Sequence, residues 1–505
     1  LIPKKIRNIK IREGEAAMGN IKIGWAQRDI TPTVPVALVG WAVDRFAEEV
    51  RDPLTVTGLA LESTPGDYVI MVSCDILWIK KMLQVKVRQR VLEQIPELDG
   101  NMLFLFATHT HNAPYQSTED LQTIWGATRN YQKDKQTDYL HPDDYHEMLI
   151  ERISEVAISA WKSRKAGGIS YGHDRVAIGQ NRRVVYDDST VQMYGETKNK
   201  NFLTFEGPED NNIELIYLWD SNQQLTGVAV NIACPSQTLE SRSYVSADYW
   251  NEVRVELRRK FGDSIHVLPM LAPSGDVAPH EIIRHPNGHV GAIGDEIGLH
   301  FRIRDFDAEL RRTARHIVFV IEEVLPQAKL SIRTDVKIKH IVKDVQLPRR
   351  RVTKADAEEA KKKYMEWWYR NDRDPMDYYD ELSRQERFAL ANLIITIKHF
   401  EKQQHESPFS MELHVVRIGD IVITTNPFEL YTDYGLHIRA NSEAMQTFNI
   451  QLACDQAGYL PTEKAAAGGS YGALIFNGEI GPDGGRLLVD HTVALIHQLW
   501  KDIEE

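Results

Sequence analysis

Residues 101–116 read NMLFLFATHTHNAPYQ. The short apolar run at its start suits a strand buried on both faces, and two histidines two apart follow it directly. Upstream, DYVIMVSCDIL (67–77) is a second near-continuous apolar run, β-branched and short. Between the two, Leu83, Val87, Val91 and Ile95 recur every fourth residue, which draws one apolar stripe along a helix. Strand, helix and strand in this order predict a βαβ unit with a parallel pair. The fold class is therefore mixed α/β, with layered sheets and helices. His109 and His111 fall at or just beyond a strand's carboxyl end, where α/β proteins collect their chemistry.

Working outward, IKIGWAQRDITPTVPVALVGW (21–41) begins as a short strand and becomes a loop rich in turn residues. A helix is predicted over roughly 143–163. Segments 211–220 and 225–233 read as an antiparallel pair, and HVLPMLAPSGDVAPH (266–280) as a strand entering a Gly/Pro-rich loop. Residues 291–323 read as one or two helices. SIRTDVKIKHIVKDVQL (331–347) alternates like a strand with one wet face, and 353–400 reads as two helices broken near Asp374-Pro375. MELHVVRIGDIVITTNP (411–427) reads as a hairpin turning at Gly-Asp and delivering Glu429 just past a strand end. No internal repeat is visible.

The 505 residues carry 60 basic and 72 acidic side chains, a net charge of -12 that argues against a nucleic-acid surface. Arg349, Arg350 and Arg351 are expected to be solvated or a nick site. No apolar run reaches the roughly 20 residues that span a bilayer. A chain opening on Leu-Ile-Pro fits the mature part of an exported protein, periplasmic or secreted, or a trimmed one. Three cysteines, Cys74, Cys234 and Cys454, are too few for a disulfide scaffold and read as buried small hydrophobes.

His-x-His chelates a metal when the backbone between the two turns, but zinc normally takes three protein ligands and an open position. Carboxylates following apolar strands are Asp75, Asp248, Asp276 and Glu429, which spacing alone does not rank. GDVAPH holds Asp276 and His280 in a stiff loop. GYLPTEKAAAGGSYG (458–472) sets Tyr459 and Tyr471 on either side of a small-residue segment. It lacks the Gly-Lys-Ser/Thr of a phosphate loop, and no Gly-x-Ser-x-Gly elbow occurs in the chain. Trp367, Trp368, Tyr378 and Tyr379 suit helix packing better than a substrate groove.

The order of these motifs resembles the neutral/alkaline, non-lysosomal ceramidases. GWAQRDITP, ATHTHNAP, SYVSAD, SGDVAPH, NPFELYTDYG and GYLPTEKAAAGGSYG stand in family order over roughly 20–475. The resemblance implies one ceramidase-like catalytic domain over 20–505, with 353–400 as a helical insertion and no C-terminal immunoglobulin-like domain. It implies hydrolysis of an amide by zinc-activated water. Carried over by motif, His109, Glu429 and Tyr459 are the metal ligands. His111 contacts substrate and supports proton transfer, Tyr471 stabilises the oxyanion, and Arg182 of GQNRR binds substrate.

Two departures qualify this. The family's second histidine ligand is matched by Pro235 in NIACPSQTLE (231–240), and proline cannot bind zinc. Its replacement is expected to be His280, ahead of Cys234 and Gln237. Ala278 stands where the family has serine, and His280 where it has asparagine, so ceramide itself is not the expected substrate. The expected activity is a zinc-dependent hydrolase acting on the amide of an N-acylated lipid or amino compound. The alternatives are a carbohydrate-active glycosidase or deacylase, in which His111, Glu429 and Asp276 share acid–base work, and a binding protein that has lost its zinc. Paired Arg182 and Arg183 suit an anionic or sugar-like substrate.

Overall fold

The computed structural model describes residues 21–40, 45–64, 66–118, 139–283, 305–382 and 384–501. The first strands are β1 (Ile21–Asp29), β2 (Thr55–Ser63), β3 (Tyr68–Cys74) and β4 (Leu103–Ala107). The first three pair antiparallel in turn, and β4 joins β3 in parallel through helix α1 (Lys81–Gln94). This is the βαβ unit expected from 67–110. Helix α2 (Pro142–Lys162) covers these strands. His141 caps it, Pro142 opens it, and Asp143 and Asp144 sit in its positive first turn. Tyr145, Leu149, Ile153 and Ala157 form its buried stripe. Gly24 lets it approach: a Cβ there would stand 2.0 Å from Ala160 O.

The same order then recurs. Strands β5 (Lys165–Arg175), β6 (Asn212–Asp220) and β7 (Leu225–Ile232) are antiparallel neighbours. Helix α3 (Tyr249–Phe261) leads to β8 (His266–Leu271), which pairs with β7 in parallel. Helix α4 (Phe306–Leu330) packs on α3 and β5. The expected helical segment thus begins at Phe306, and residues 291–304 lie outside those described. The two units join along β1 and β5 into one eight-stranded sheet, ordered β8-β7-β6-β5-β1-β2-β3-β4.

A third unit forms the second sheet. Strand β9 (Ile338–Leu347) is followed by α5 (Lys354–Asn371), a short 3-10 segment (Pro375–Glu381) and α6 (Arg384–Lys402). Then come β10 (Phe409–Ile418), β11 (Ile421–Thr425), α7 (Thr432–Ala440) and β12 (Gln446–Ile450). Again the first pairs are antiparallel and the last is parallel. Topology therefore repeats three times where the sequence shows no period, because each unit keeps its strand pattern while its loops diverge.

The sheets pack face to face. Phe104, Phe106, Leu218, Ala229 and Met270 of the first share one core with Val416, Ile418, Ile423 and Phe448 of the second. Helices α1 to α4 cover the outer face of the first sheet, and α8 (Pro482–Lys501) and α7 cover that of the second. The layers run helix, sheet, sheet, helix. No immunoglobulin-like sandwich occurs among the described residues, and no helix there is long and apolar enough to cross a membrane. All three cysteines are buried and unbridged.

Some local expectations change. Arg349 pairs with Glu479, Arg350 donates to Ala473 O at 2.8 Å and Arg351 to Gln403 O at 2.6 Å, so all three anchor segments, with Arg351 exposed as expected and the other two partly buried. Tyr378 is buried, with its hydroxyl donating to Trp367 O, and Trp368 is exposed. The side chain of Tyr379 is not among those described.

His266 at the start of β8 stacks on Trp25, with centroids 5.2 Å apart and planes at 10°. Burial, helped by Arg258, lowers its pKa to about 4. Between about 6.5 and 4 the unfolded chain binds the extra proton, so stability falls as pH drops through that window. At pH 5 the loss from this group is about 2 kcal/mol. A His266→Phe variant should lose that much less stability between pH 7 and pH 5 in urea titrations. Equal losses would refute the assignment.

Candidate active site

The parallel pairs β3–β4, β7–β8 and β11–β12 deliver the functional groups, and Glu429 and Tyr459 are themselves partners in a further short parallel pair. Beyond β3 lies Leu77, and beyond β4 lie His109 and His111. Gln237 and Glu240 follow β7, and Asp276 and His280 follow β8. Glu429 follows β11 and Tyr459 follows β12. Carboxyl ends of parallel strands gather side chains because the loops there are free to differ.

His109 is buried and holds a left-handed backbone, φ 62°. That conformation is rare for a side chain with a Cβ and is retained where its surroundings over-determine it. Thr108 Oγ1 is bonded to Asp75, Thr108 O accepts from Ser236 Oγ at 2.8 Å, and Thr110 Oγ1 donates to Ser246 O at 2.7 Å. The turn is thereby pinned to two of the three units. It brings the two imidazoles edge to face, centroids 4.9 Å apart, with Nε2 of His111 3.4 Å from Nε2 of His109.

His109 Nδ1 lies 2.8 Å from Leu77 O. A carbonyl only accepts, so Nδ1 carries the proton and Nε2 offers its lone pair. That lone pair faces Glu429 Oε2 at 3.5 Å. Burial raises the Glu429 carboxyl; the imidazolium form of His109, which would donate from Nε2 as well, and then Tyr459 and Arg182 outweigh burial and hold its pKa below the usual range. The Tyr459 phenol is pushed well up, by burial first and then by Glu429 and Tyr471. Arg182 is buried and donates through Nη2 to Gly275 O at 2.9 Å and to Tyr459 OH at 3.2 Å. Tyr471 is half-buried, its ring edge to face with Tyr459 at 5.6 Å.

His109, His111, Glu429, Tyr459, Tyr471 and Arg182 thus meet. His280 does not join them: its Nε2 is 2.8 Å from Glu240 Oε1. Asp276 is fully buried and already engaged, accepting from Asn181 Nδ2 at 2.8 Å and from Thr432 N and Oγ1 at 2.9 and 2.8 Å. Cys234 points into the core, with Sγ against Ile178 O. Gln237 does face the site, its Nε2 2.8 Å from His111 Nε2.

Similarity to known proteins appears in structure rather than in sequence. A neutral ceramidase from Pseudomonas aeruginosa superposes with a TM-score of 0.67 over 95% of this chain and 75% of its own, at 15% identity. A ceramidase complexed with C2 superposes at 0.66, over 95% and 76%, at 14% identity. The chain has the neutral ceramidase fold. No family model matches the sequence, and a search of curated proteins finds no match.

On this ceramidase fold, a zinc site can be tested against the donors present. Tetrahedral zinc with bonds near 2.0–2.1 Å sets its ligand atoms about 3.3 Å apart. The His109–Glu429 contact is 3.5 Å, and a carbonyl on the far nitrogen is how metal-binding histidines are commonly oriented. His109, Glu429 and Tyr459 are three suitable donors, and a catalytic zinc keeps its fourth position open. The residues fit, with nothing supplied at Pro235. Elsewhere, one group among the described residues brings three histidine, cysteine or carboxylate donors within 4.8 Å: Glu412, His414 and Cys454. It could hold a metal, although Arg88 already grips Glu412 at 2.8 and 2.6 Å and His340 lies 2.9 Å from His414 Nδ1.

Arg183, expected beside Arg182 at a substrate, is otherwise engaged. It clamps Glu206 at 2.6 and 3.1 Å and donates to the carbonyls of Tyr471, Ala465 and Gly469. It fixes the loop that carries Tyr471. Arg183→Ala leaves Glu206 buried without its partner and should cost about 3–5 kcal/mol in a denaturant titration. A change below about 1 kcal/mol would contradict that role.

Glu240 carried no signal in the sequence. It is one carboxylate in a polar stretch, 129 positions from the histidine it approaches, as the numbering of His111 and Glu240 shows.

Proposed function

We propose that this chain is a divergent member of the neutral ceramidase family, a hydrolase that cleaves the amide of an N-acylated lipid or amino compound with activated water. The convergence of His109 Nε2 and Glu429 Oε2, with the His109 tautomer set by Leu77 O, carries this reading. His109, Glu429 and Tyr459 are the residues that would hold a zinc ion. Bound there, zinc supplies a water of lowered pKa and polarises the scissile carbonyl.

The chain's own groups do the rest. Leu77 O keeps the His109 lone pair inward. Arg182 holds the Tyr459 hydroxyl beside Glu429 and leaves a buried positive charge near the acyl group. The Tyr471 phenol, on a loop fixed by Arg183, donates to the oxygen on which negative charge develops. His111 faces the same space and relays a proton toward the leaving amine. Asp276 acts from behind by bracing Thr432 and Asn181.

The test offers fluorogenic N-acyl amides of graded chain length beside aryl glycosides to the same preparation. Release of amine, rising with acyl length, supports the reading. Cleavage of glycosides alone would replace it with the carbohydrate reading, and cleavage of neither would leave a binding protein.

A further inference from the structure

Beside the site lies a buried carboxylate that the mechanism above does not use. Glu240 is 3% exposed, and its two oxygens face two histidines: Oε1 lies 2.8 Å from His280 Nε2, and Oε2 lies 3.3 Å from His111 Nδ1. His111 Nδ1 is buried and makes no hydrogen bond, and Glu240 Oε2 stands within ion-pair distance of it. The opposite nitrogen, Nε2, points to Gln237 and His109.

The ring cannot swing away. A Cβ on Gly40 would stand 2.7 Å from His111 Cγ, so the glycine backbone, φ 98°, is pressed against the imidazole. Arg45 donates to His111 O from below. Glu240 is equally confined, since Tyr194, buried beside His280 with centroids 5.9 Å apart, lies against both Glu240 and Arg182.

We propose that Glu240, braced by His280, is the positioning residue for His111. A carboxylate accepts only, so it selects the tautomer with the proton on Nδ1, in which the Nε2 lone pair accepts from Gln237 Nε2 on the side of His109. This is the arrangement by which a carboxylate orients and sharpens a histidine in many sites. It also gives His280 a task in this chain: it ties down the second oxygen of Glu240. The inference rests on the proposed hydrolase only for its activity arm.

The test is the 15N spectrum of the imidazoles in histidine-labelled protein, assigned with His111→Asn and read in the parent, E240A and E240Q. E240Q keeps the side chain's shape and guards against a cavity in the smaller variant. The parent should show Nδ1 protonated and Nε2 bare at His111. Both variants should lose that preference, E240A more completely. On an N-acyl aminomethylcoumarin, kcat should fall about 10- to 100-fold while KM changes little. H280Q should lie between the parent and E240Q. An unchanged His111 tautomer in the folded variants would overturn the proposal. A tautomer that shifts in the variants of a parent that hydrolyses no amide would sink the hydrolase reading and leave this one standing.

Discussion

Replacing His109 with alanine is expected to lower amide turnover by roughly 10³-fold or more, about 4 kcal/mol of barrier. The lone pair facing Glu429 disappears, and with it the donor that would share a metal ion with that carboxylate. Metal bound by chelator-free protein should fall with the activity. The fold should survive, because the turn stays pinned through Thr108, Ser236 and Thr110. Turnover within tenfold of the parent would remove His109 from the chemistry.

The second large effect is expected from Tyr471→Phe. The change deletes one hydroxyl and keeps the ring that packs on Tyr459 and Phe476. Arg183 still holds the backbone carbonyl of residue 471, so the loop stays in place. Loss of a single oxyanion donor typically costs about 10²- to 10³-fold in kcat. Metal content and melting temperature should not move. Steady-state kinetics on the same amide separates the outcomes: a fall in kcat at near-constant KM fits oxyanion stabilisation, whereas an unchanged kcat sinks it.

Much of the architecture could be read from local pattern. The runs at 67–77 and 103–107, with the Leu83–Val87–Val91 stripe between them, are a βαβ unit in the structure as in the sequence. The hairpin at Gly419 forms, with φ 62° at its turn. The threefold recurrence of the strand order is not legible in the sequence because hydrogen-bond direction leaves no mark on composition. Parallel and antiparallel strands buried on both faces look alike as sequences.

The site divides in the same way. Motif order placed His109, His111, Arg182, Glu429, Tyr459 and Tyr471, and these six side chains converge. The chemistry of His280 suits a metal ligand, but direction is a tertiary property and it turns to Glu240. Asp276 has the chemistry of an acid or base, yet its oxygens already accept from Asn181 and Thr432. Cys234 has the strongest zinc affinity of the substitutes and lies with its sulfur in the core. Residue type could rank these candidates for metal binding; only the packing of β7 and β8 could aim them.

The most direct test of the metal centre is an anomalous-difference map, collected on either side of the zinc absorption edge from crystals of protein purified without chelator. The expected result is one peak bounded by His109 Nε2, Glu429 Oε2 and the Tyr459 hydroxyl. No peak there, or a peak confined to Glu412, His414 and Cys454, would contradict the proposed centre.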